Sequence, residues 1–218
     1  MNKETVLTRI RETGVVAVVR AESSDQALRI TEACLAGGVS AIEMTFTVPG
    51  AHRVIADLRR RFSDDEILLG AGSVLDPETA RIAILEGATY VVSPSLNLET
   101  VKLCHRYRIA CMPGGMTVTE VIAIMESGAD IVKVFPGEVA GPGFIKGVRG
   151  PVPQACMMPT GGVSLDNVSA WIAAGAVAVG VGGQLTAGAL TGDYDKVTRT
   201  ARQFVDAVKA ARSAQGKS

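Results

Sequence analysis

Short apolar runs alternate along the chain with longer stretches in which apolar residues recur every three or four positions. The runs are apolar on both faces and rich in β-branched residues, which is typical of parallel strands covered on both sides. Four of them follow a glycine, in segments 36–43, 86–93, 127–133 and 174–180, and four more lie at 15–19, 67–70, 109–112 and 155–158. The stretches around them predict amphipathic helices, including 3–12, 25–35, 52–61, 77–85, 119–126, 165–173 and 194–212.

Glycines recur at the same position in this alternation, at the end of a helical stretch. Gly37 or Gly38, Gly87, Gly128 and Gly175 each stand between a helical pattern and the strand that follows it. A glycine just past a helix end adopts the left-handed conformation without steric cost. The chain therefore repeats a helix–glycine–strand unit, and such alternation predicts βαβ units and a parallel sheet.

Eight such units in about 200 residues favour an α/β fold of the (β/α)8 TIM barrel type. We expect one domain over 1–218, opened by an N-terminal helix and ending in a frayed polar tail at 213–218. The alternative, a doubly wound dinucleotide-binding fold, needs a longer glycine fingerprint. Gly70-Ala71-Gly72 lacks the third glycine, and Gly180-Val181-Gly182 fails in the same way, so the barrel is favoured.

Composition argues against three classes of protein: nucleic-acid-binding, membrane-spanning and secreted. Lys plus Arg and Asp plus Glu both number 22, which argues against a nucleic-acid partner. No apolar stretch reaches the roughly 20 residues that span a bilayer, and the polar segment 1–13 predicts no secretory signal, so we expect a cytoplasmic protein without a membrane partner.

Cysteine and histidine usage points away from several common chemistries. The cysteines form no C-x-x-C pair and are expected to be small buried residues: Cys34, Cys104, Cys111 and Cys156. His52 and His105 both fall in helical patterns, so neither a histidine-rich metal centre nor a Ser-His-Asp triad is supported.

Lys133 is the most informative residue, because barrel enzymes place their chemistry at the carboxyl ends of the strands. It interrupts an apolar strand, and period-2 alternation groups it with Ile131 and Phe135 on one face, opposite Val132 and Val134. The valines suit the helix-covered face, so we expect Lys133 to point into the barrel. Removal from water disfavours an ammonium and leaves an amine able to form a Schiff base. A structural lysine in a buried ion pair is the alternative.

Glu43 follows the same argument on the second strand. It shares a face with Ala41 and Thr45, opposite Ile42 and Met44. The second and sixth strands of an eight-stranded barrel lie on opposite walls, so Glu43 and Lys133 are expected to face each other. The carboxylate is either a general acid/base beside the lysine or its plain ion-pair partner.

Two glycine pairs follow the last two strands, where many barrels bind phosphate. Glycine lets backbone N–H groups approach an anion closely. Tight turns explain a single pair equally well, but two pairs at these strand ends favour a phosphate site: Gly161, Gly162, Gly182 and Gly183.

Six motifs, read together and in order, resemble the 2-keto-3-deoxy-6-phosphogluconate (KDPG) / 2-keto-4-hydroxyglutarate (KHG) aldolase family. The resemblance extends from about 15 to 186 and rests on IEMTFTVPG at 42–50, GAGSVL at 70–75, VSP at 92–94, MPG at 112–114, VKVFP at 132–136 and PTGG at 159–162. It implies a metal-free, cofactor-free class I barrel aldolase, typically a cytosolic homotrimer, whose small-molecule substrate is an oxo-acid.

The resemblance also implies roles for individual residues. Lys133 matches the Schiff-base lysine and Glu43 the acid/base glutamate. Ser73 takes the place of a threonine near the pyruvate carboxylate. Pro94 and Phe135 match residues that line the pyruvyl site. Thr160 is assigned to substrate binding, and the glycines already named match the phosphate-binding residues.

Two positions depart from the family pattern. Some members have an arginine four residues after the glutamate. This chain has Thr47 there, which we assign to substrate binding, and we hypothesise that Arg20 supplies the missing cation for the carboxylate. A salt bridge at the barrel rim is the alternative for Arg20. Some members also carry a serine where this chain has Gln184, so 4-hydroxy-2-oxoglutarate and the galactonate epimer remain candidate substrates.

Two other functions stay open at this point. A sugar-phosphate isomerase or epimerase on the same barrel needs an acid/base pair but no imine. A non-catalytic barrel that serves as an assembly subunit needs neither. Retention of both Glu43 and Lys133 argues against the latter, because an idle buried charge pair rarely stabilises a fold.

Overall fold

The computed structural model describes residues 1–215. Its strands are β1 (Val15–Val19), β2 (Ala41–Thr45), β3 (Leu68–Gly72), β4 (Tyr90–Val92), β5 (Ala110–Met112), β6 (Gly114–Gly115), β7 (Val132–Val134), β8 (Met157–Pro159) and β9 (Val179–Val181). The helices are α1 (Lys3–Thr13), α2 (Ser24–Ala36), α3 (Ala51–Arg61), α4 (Pro77–Leu85), α5 (Leu98–Arg106), α6 (Val118–Glu126), α7 (Gly137–Arg149), α8 (Val168–Ala173), α9 (Gly183–Thr186) and α10 (Tyr194–Gln215), with a 3-10 turn at Ala187–Thr191.

All strand pairs are parallel, and the strands form a curled sheet. One set has the order β5-β4-β3-β2-β1-β9 and the other the order β6-β7-β8. Neighbours in space are mostly neighbours along the chain, and the first strand pairs with the last. A doubly wound sheet reverses its order at a switch point, so this order excludes the dinucleotide-binding alternative.

Two apolar clusters lie on opposite faces of the sheet. The outer cluster packs the helices against residues such as Ile42, Met44, Val132 and Val134. The inner cluster lies on the concave face and includes Tyr90 among its largest side chains. These memberships confirm the face assignments that the period-2 alternation predicts for β2 and β7.

Helix α1 covers the amino ends of the strands. Its Val6, Leu7 and Ile10 join the inner cluster beside residues at the starts of β1, β2 and β3, such as Val16 and Ala41. That end of the concave face is therefore closed by apolar side chains, and the polar strand ends lie at the opposite, carboxyl side.

The predicted helix-ending glycines adopt left-handed backbone, with φ of +91° at Gly38, +105° at Gly87, +81° at Gly128 and +104° at Gly175. The neighbouring Gly37 has φ of −84° and serves a different purpose. A Cβ there would lie 2.5 Å from the Cβ of Ala201, so glycine allows α2 and α10 to approach closely.

Several elements differ from their predicted bounds; β3, for example, extends to Gly72, and β8 begins at Met157. The fifth run continues beyond 112, because β6 follows β5 after Pro113. Helix α8 begins at Val168 and not at 165, because Asn167 accepts a hydrogen bond from Ser164 N and holds the preceding turn. Helix α10 continues through Gln215, and positions 216–218 of the predicted tail lie outside the described residues. Within 1–215, no helix is long and apolar enough to cross a membrane.

Candidate active site

A cavity of about 370 Å³ opens at the carboxyl ends of the strands. It draws its walls from both groups of strands and from the loops after β8 and β9. Among its lining residues are all but one of the predicted site residues: Arg20, Glu43, Ser73, Pro94, Lys133, Phe135, Thr160, Gly161, Gly162, Gly182 and Gly183. Side chains from distant parts of the chain therefore meet in one place.

Lys133 stands on β7 and is only 5% exposed. Its Nζ lies 4.8 Å from the centre of the Phe135 ring, whose negatively polarised face favours a cation. Within residues 1–215, the ammonium has no carboxylate partner at ion-pair distance. The lysine is thus held in a water-poor site, facing the cavity.

Glu43 stands on β2, and its carboxyl is almost completely buried. Burial raises the pKa of this carboxyl, and the positive charges of Lys133 and Arg20 oppose that rise without cancelling it. Its Oε2 has no hydrogen-bond partner among the described residues. A carboxyl with a raised pKa exchanges protons near neutral pH more readily than an exposed one.

Lys133 and Glu43 share the cavity without forming an ion pair. The charge of Lys133 nevertheless acts on Glu43, because it lowers the pKa of that carboxyl against the rise caused by burial. The space between them is therefore available to a bound molecule, and this arrangement disfavours the plain ion-pair interpretation of Glu43.

Arg20 enters the cavity from the end of β1. Its Nη1 lies 3.5 Å from the position that a Cβ on Gly182 would occupy, and no ion pair or hydrogen bond engages it within the described part of the chain. Its guanidinium is therefore available for an anionic group, and the rim salt bridge considered for it does not form.

The loops after β8 and β9 are tied together beside the cavity. Gly161 and Gly162 have φ of +92° and +65°, backbone that other residues rarely adopt. Asn167 Nδ2 donates to the carbonyl of Gly162 at 2.8 Å, and Leu165 N donates to Gln184 Oε1 at 2.7 Å. Gln184 thus links the two glycine turns through its side chain.

Thr47 differs from the other predicted site residues. It is exposed and outside the cavity lining, and its Oγ1 lies 2.9 Å from Thr45 Oγ1. Thr45 itself lines the cavity, as does Ser164, although the sequence assigned a role to neither of them. Alternation did indicate Thr45, since it shares the face of Glu43, whereas Ser164 reaches the cavity only through the turn that Asn167 organises.

The arrangement joins a buried amine, a buried carboxyl with a raised pKa and a guanidinium without a partner among the described residues. An amine of this kind attacks a ketone, a carboxyl moves the protons of that reaction, and a guanidinium binds a carboxylate or phosphate. Among the described residues, no three metal-binding side chains cluster together.

Comparison with known proteins agrees with this geometry. The family model described as "KDPG and KHG aldolase" matches residues 6–200. This chain belongs to the KDPG and KHG aldolase family. The resemblance noted from the sequence motifs is thereby confirmed.

Two relatives and one solved structure illustrate the membership. A 2-dehydro-3-deoxy-6-phosphogalactonate aldolase of Escherichia coli K12 is 31% identical over 201 residues, which is 92% of this chain and 95% of the relative. A KHG/KDPG aldolase of the same strain is 32% identical over 212 residues, covering 95% and 99%. A KDPG aldolase from Legionella pneumophila, solved with pyruvate as a covalent carbinolamine intermediate, superposes with a TM-score of 0.84 at 25% identity, covering 93% of this chain and 97% of that one.

The burial of Glu43 makes stability depend on pH. Its pKa is raised above the ordinary 4.5 in the folded state, so unfolding releases a proton at pH values between about 4.5 and the folded pKa. This group therefore lowers the free energy of unfolding as pH rises from about 4.5 through the folded pKa. We predict that Glu43→Gln gains stability relative to the parent across this window, measured as the difference in Tm between about pH 4 and about pH 8.

Asp206→Asn, which removes an exposed carboxyl from α10, is the control and should show no such trend. A Tm difference between Glu43→Gln and the parent that stays constant with pH would contradict the raised pKa.

Proposed function

We propose that the protein is a class I aldolase that cleaves KDPG to pyruvate and D-glyceraldehyde 3-phosphate, and that it also cleaves 4-hydroxy-2-oxoglutarate to pyruvate and glyoxylate. The observation that carries the proposal is the buried, unpaired Lys133 facing Glu43 across one cavity. Membership of the KDPG and KHG aldolase family supports it, as does the pyruvate carbinolamine reported for the Legionella relative.

The reaction begins at Lys133. Its neutral amine attacks the C2 ketone of the substrate, and the resulting carbinolamine loses water to give a protonated imine. Glu43, whose pKa is raised by burial, moves the protons of these steps, with a water molecule as the carrier. The ring of Phe135 borders the imine nitrogen and stabilises its positive charge.

Carbon–carbon cleavage follows from the imine. Glu43 takes the proton of the C4 hydroxyl, the C3–C4 bond breaks to release the aldehyde, and its electron pair moves into the iminium as an enamine. The enamine is then protonated at C3, and water hydrolyses the imine to free pyruvate and the amine. The pyruvyl group lies between Pro94, Phe135 and Ser73 throughout.

Anionic ends of the substrate are bound at two places. Arg20 pairs with the oxo-acid carboxylate, assisted by the hydroxyls of Ser73 and Thr160; Thr160 Oγ1 is buried without a protein partner. The phosphate lies at the turns formed by Gly161, Gly162, Gly182 and Gly183. Thr47, which we assigned to substrate binding from the sequence, assists through its contact with Thr45.

We also propose that the curled sheet closes into one (β/α)8 barrel and that 1–218 is a single domain. Strands β5 and β6 are in sequence with only Pro113 between them, so together they count as one strand of eight. Thr160, just after β8, pairs with Gly180 of β9, which supports closure on the other side.

The assembly we propose is a homotrimer located in the cytoplasm. Large apolar side chains are exposed on neighbouring surfaces of α4 and α5 and the loop before α4: Leu75, Ile82, Leu85 and Leu98. We call this group the α4–α5 patch. Asn97 Nδ2 donates to the carbonyl of Leu75, so the two sides of the patch are joined. Contact with another subunit would remove this apolar area from water.

The proposed reaction requires Lys133 absolutely. We predict that Lys133→Met lowers kcat/KM for KDPG cleavage by about 10⁴-fold or more, because Lys133 is the one lysine among the described residues that line the cavity. Coupled assay of pyruvate release measures this with KDPG, its galactonate epimer and 4-hydroxy-2-oxoglutarate.

Lys209→Met, on the exposed face of α10, is the matched control and should retain full activity. Cleavage by Lys133→Met at the parent's rate would refute the mechanism, and absence of cleavage of all three substrates by the parent would refute the function.

Arg20 is expected to act on binding of the pyruvyl half. We predict that Arg20→Ala raises KM for pyruvate in the condensation direction by about tenfold or more, because a charge-assisted pair with the carboxylate is lost. Arg106→Ala on α5 is the control and should leave both KM for pyruvate and KM for glyceraldehyde 3-phosphate unchanged. If KM for glyceraldehyde 3-phosphate rises and KM for pyruvate does not, Arg20 binds the phosphate and the carboxylate assignment is wrong.

The proposed trimer can be tested on the α4–α5 patch. Sedimentation equilibrium should give three times the chain mass of 22.7 kDa for the parent. Ile82→Glu should reduce this to one chain by burying a charge at the interface. Leu190→Glu, at an exposed position outside the patch, should leave the trimer intact, whereas a monomeric parent would contradict the proposal.

A further inference from the structure

Tyr90 is a fully buried tyrosine on the concave face, beneath the cavity. Its strand, β4, is separated from β2 by β3 alone. The register pairs Glu43 with Gly70 and Gly70 with Tyr90, so the three residues lie at one level across three neighbouring strands. The middle one has no side chain, so nothing on β3 at this level separates Tyr90 from Glu43.

Two glycines of β3 make room for these side chains. A Cβ on Gly70 would lie 2.1 Å from Cε2 and 2.2 Å from Cζ of Tyr90, so the edge of the ring from Cδ2 to Cζ lies over Gly70. At Gly72, the space a Cβ would need is filled by the carboxyl end of Glu43, with Oε1 at 1.9 Å from that position. The phenol and the carboxyl are therefore brought to adjacent positions on the same strand.

Both polar groups lack a partner in the described residues. The hydroxyl of Tyr90 and the Oε2 of Glu43 are each buried without a hydrogen bond. Buried polar groups nearly always have one, and an unmatched donor beside an unmatched acceptor is a complementary arrangement. A phenylalanine would fill the same space without the cost of burying a hydroxyl, so packing alone does not account for the tyrosine.

We propose that Tyr90 is a positioning residue whose hydroxyl donates a hydrogen bond to the ionised carboxylate of Glu43 through one bridging water. This role rests on the proposed aldolase function, because it acts at the stage at which Glu43 has given up its proton. The donor stabilises the carboxylate and holds it toward the cavity, while Lys133 and Arg20 act on it from the opposite side.

The electrostatics of the site agree with a donor role. Burial and the charge of Glu43 raise the pKa of Tyr90 well above its ordinary value, so the phenol keeps its proton throughout the working range. The charged groups that face Glu43 are Lys133 from β7 and Arg20 from the end of β1, and Tyr90 adds the neutral donor from β4. Replacing Tyr90 with phenylalanine removes only the last of these.

The test is the pH dependence of kcat for KDPG cleavage by Tyr90→Phe. Without the donor the ionised carboxylate is less stable, so the acid limb of the profile should move to higher pH by about half a unit or more. Below that limb, kcat should fall by about threefold or more, since half a pH unit is a threefold change in the ionised fraction. In the condensation direction, KM for pyruvate should equal that of the parent.

Thr31→Val is the matched control, because it also deletes a buried hydroxyl without a partner, but on α2. Its profile should coincide with that of the parent. Glu43→Gln provides a second test, since Tyr90→Phe should cause no further loss of activity in that background.

A Tyr90→Phe profile that coincides with the parent's, with kcat unchanged, would overturn the proposal and assign the ring to packing alone. An additive further loss in the Glu43→Gln background would overturn it as well. Borohydride trapping of pyruvate by the parent separates this failure from failure of the aldolase function: trapping with an unmoved profile rejects only the role of Tyr90, and no trapping rejects the function.

Discussion

The structure depends on keeping the amine of Lys133 and the carboxyl of Glu43 in one water-poor space without an ion pair between them. Lys133 and Glu43 are both buried, yet no ion pair joins them. Burying charged groups without such a pair is costly in free energy. The curled sheet keeps the two side chains apart by placing each on its own strand, Glu43 on β2 and Lys133 on β7. Helix α1 packs apolar side chains at one end of the concave face, and the cavity that holds the pair opens at the carboxyl ends of the strands.

Much of this organisation is predictable from residue patterns because it is local or periodic. The period-2 alternation assigns Glu43 and Lys133 to the concave face, and the clusters on either side of the sheet agree. The helix-ending glycines are predictable for the same reason, because each is favoured by the left-handed backbone conformation at its own position. The resemblance to the KDPG and KHG aldolase family added the chemistry, which periodicity alone left open between an imine, an ion pair and a non-catalytic subunit.

What could not be predicted depends on neighbours across strands and between loops. Gly70 and Gly72 look like a broken nucleotide-binding fingerprint, but in the fold they hold space for Tyr90 and Glu43. In the sequence, Gln184 departs from the serine that some family members carry at this position. In the fold, its side chain accepts a hydrogen bond from Leu165 N and joins two loops. Register and loop contacts of this kind become visible only once the strands are placed side by side.

The central claim is that Lys133 forms a covalent imine with the substrate's ketone carbon. The most direct measurement is borohydride reduction of the protein in the presence of pyruvate, followed by intact mass and peptide mapping. The account predicts one carboxyethyl adduct per chain, located on Lys133 and absent when pyruvate is omitted. No adduct, or labelling spread over exposed lysines such as Lys102 and Lys209, would contradict it.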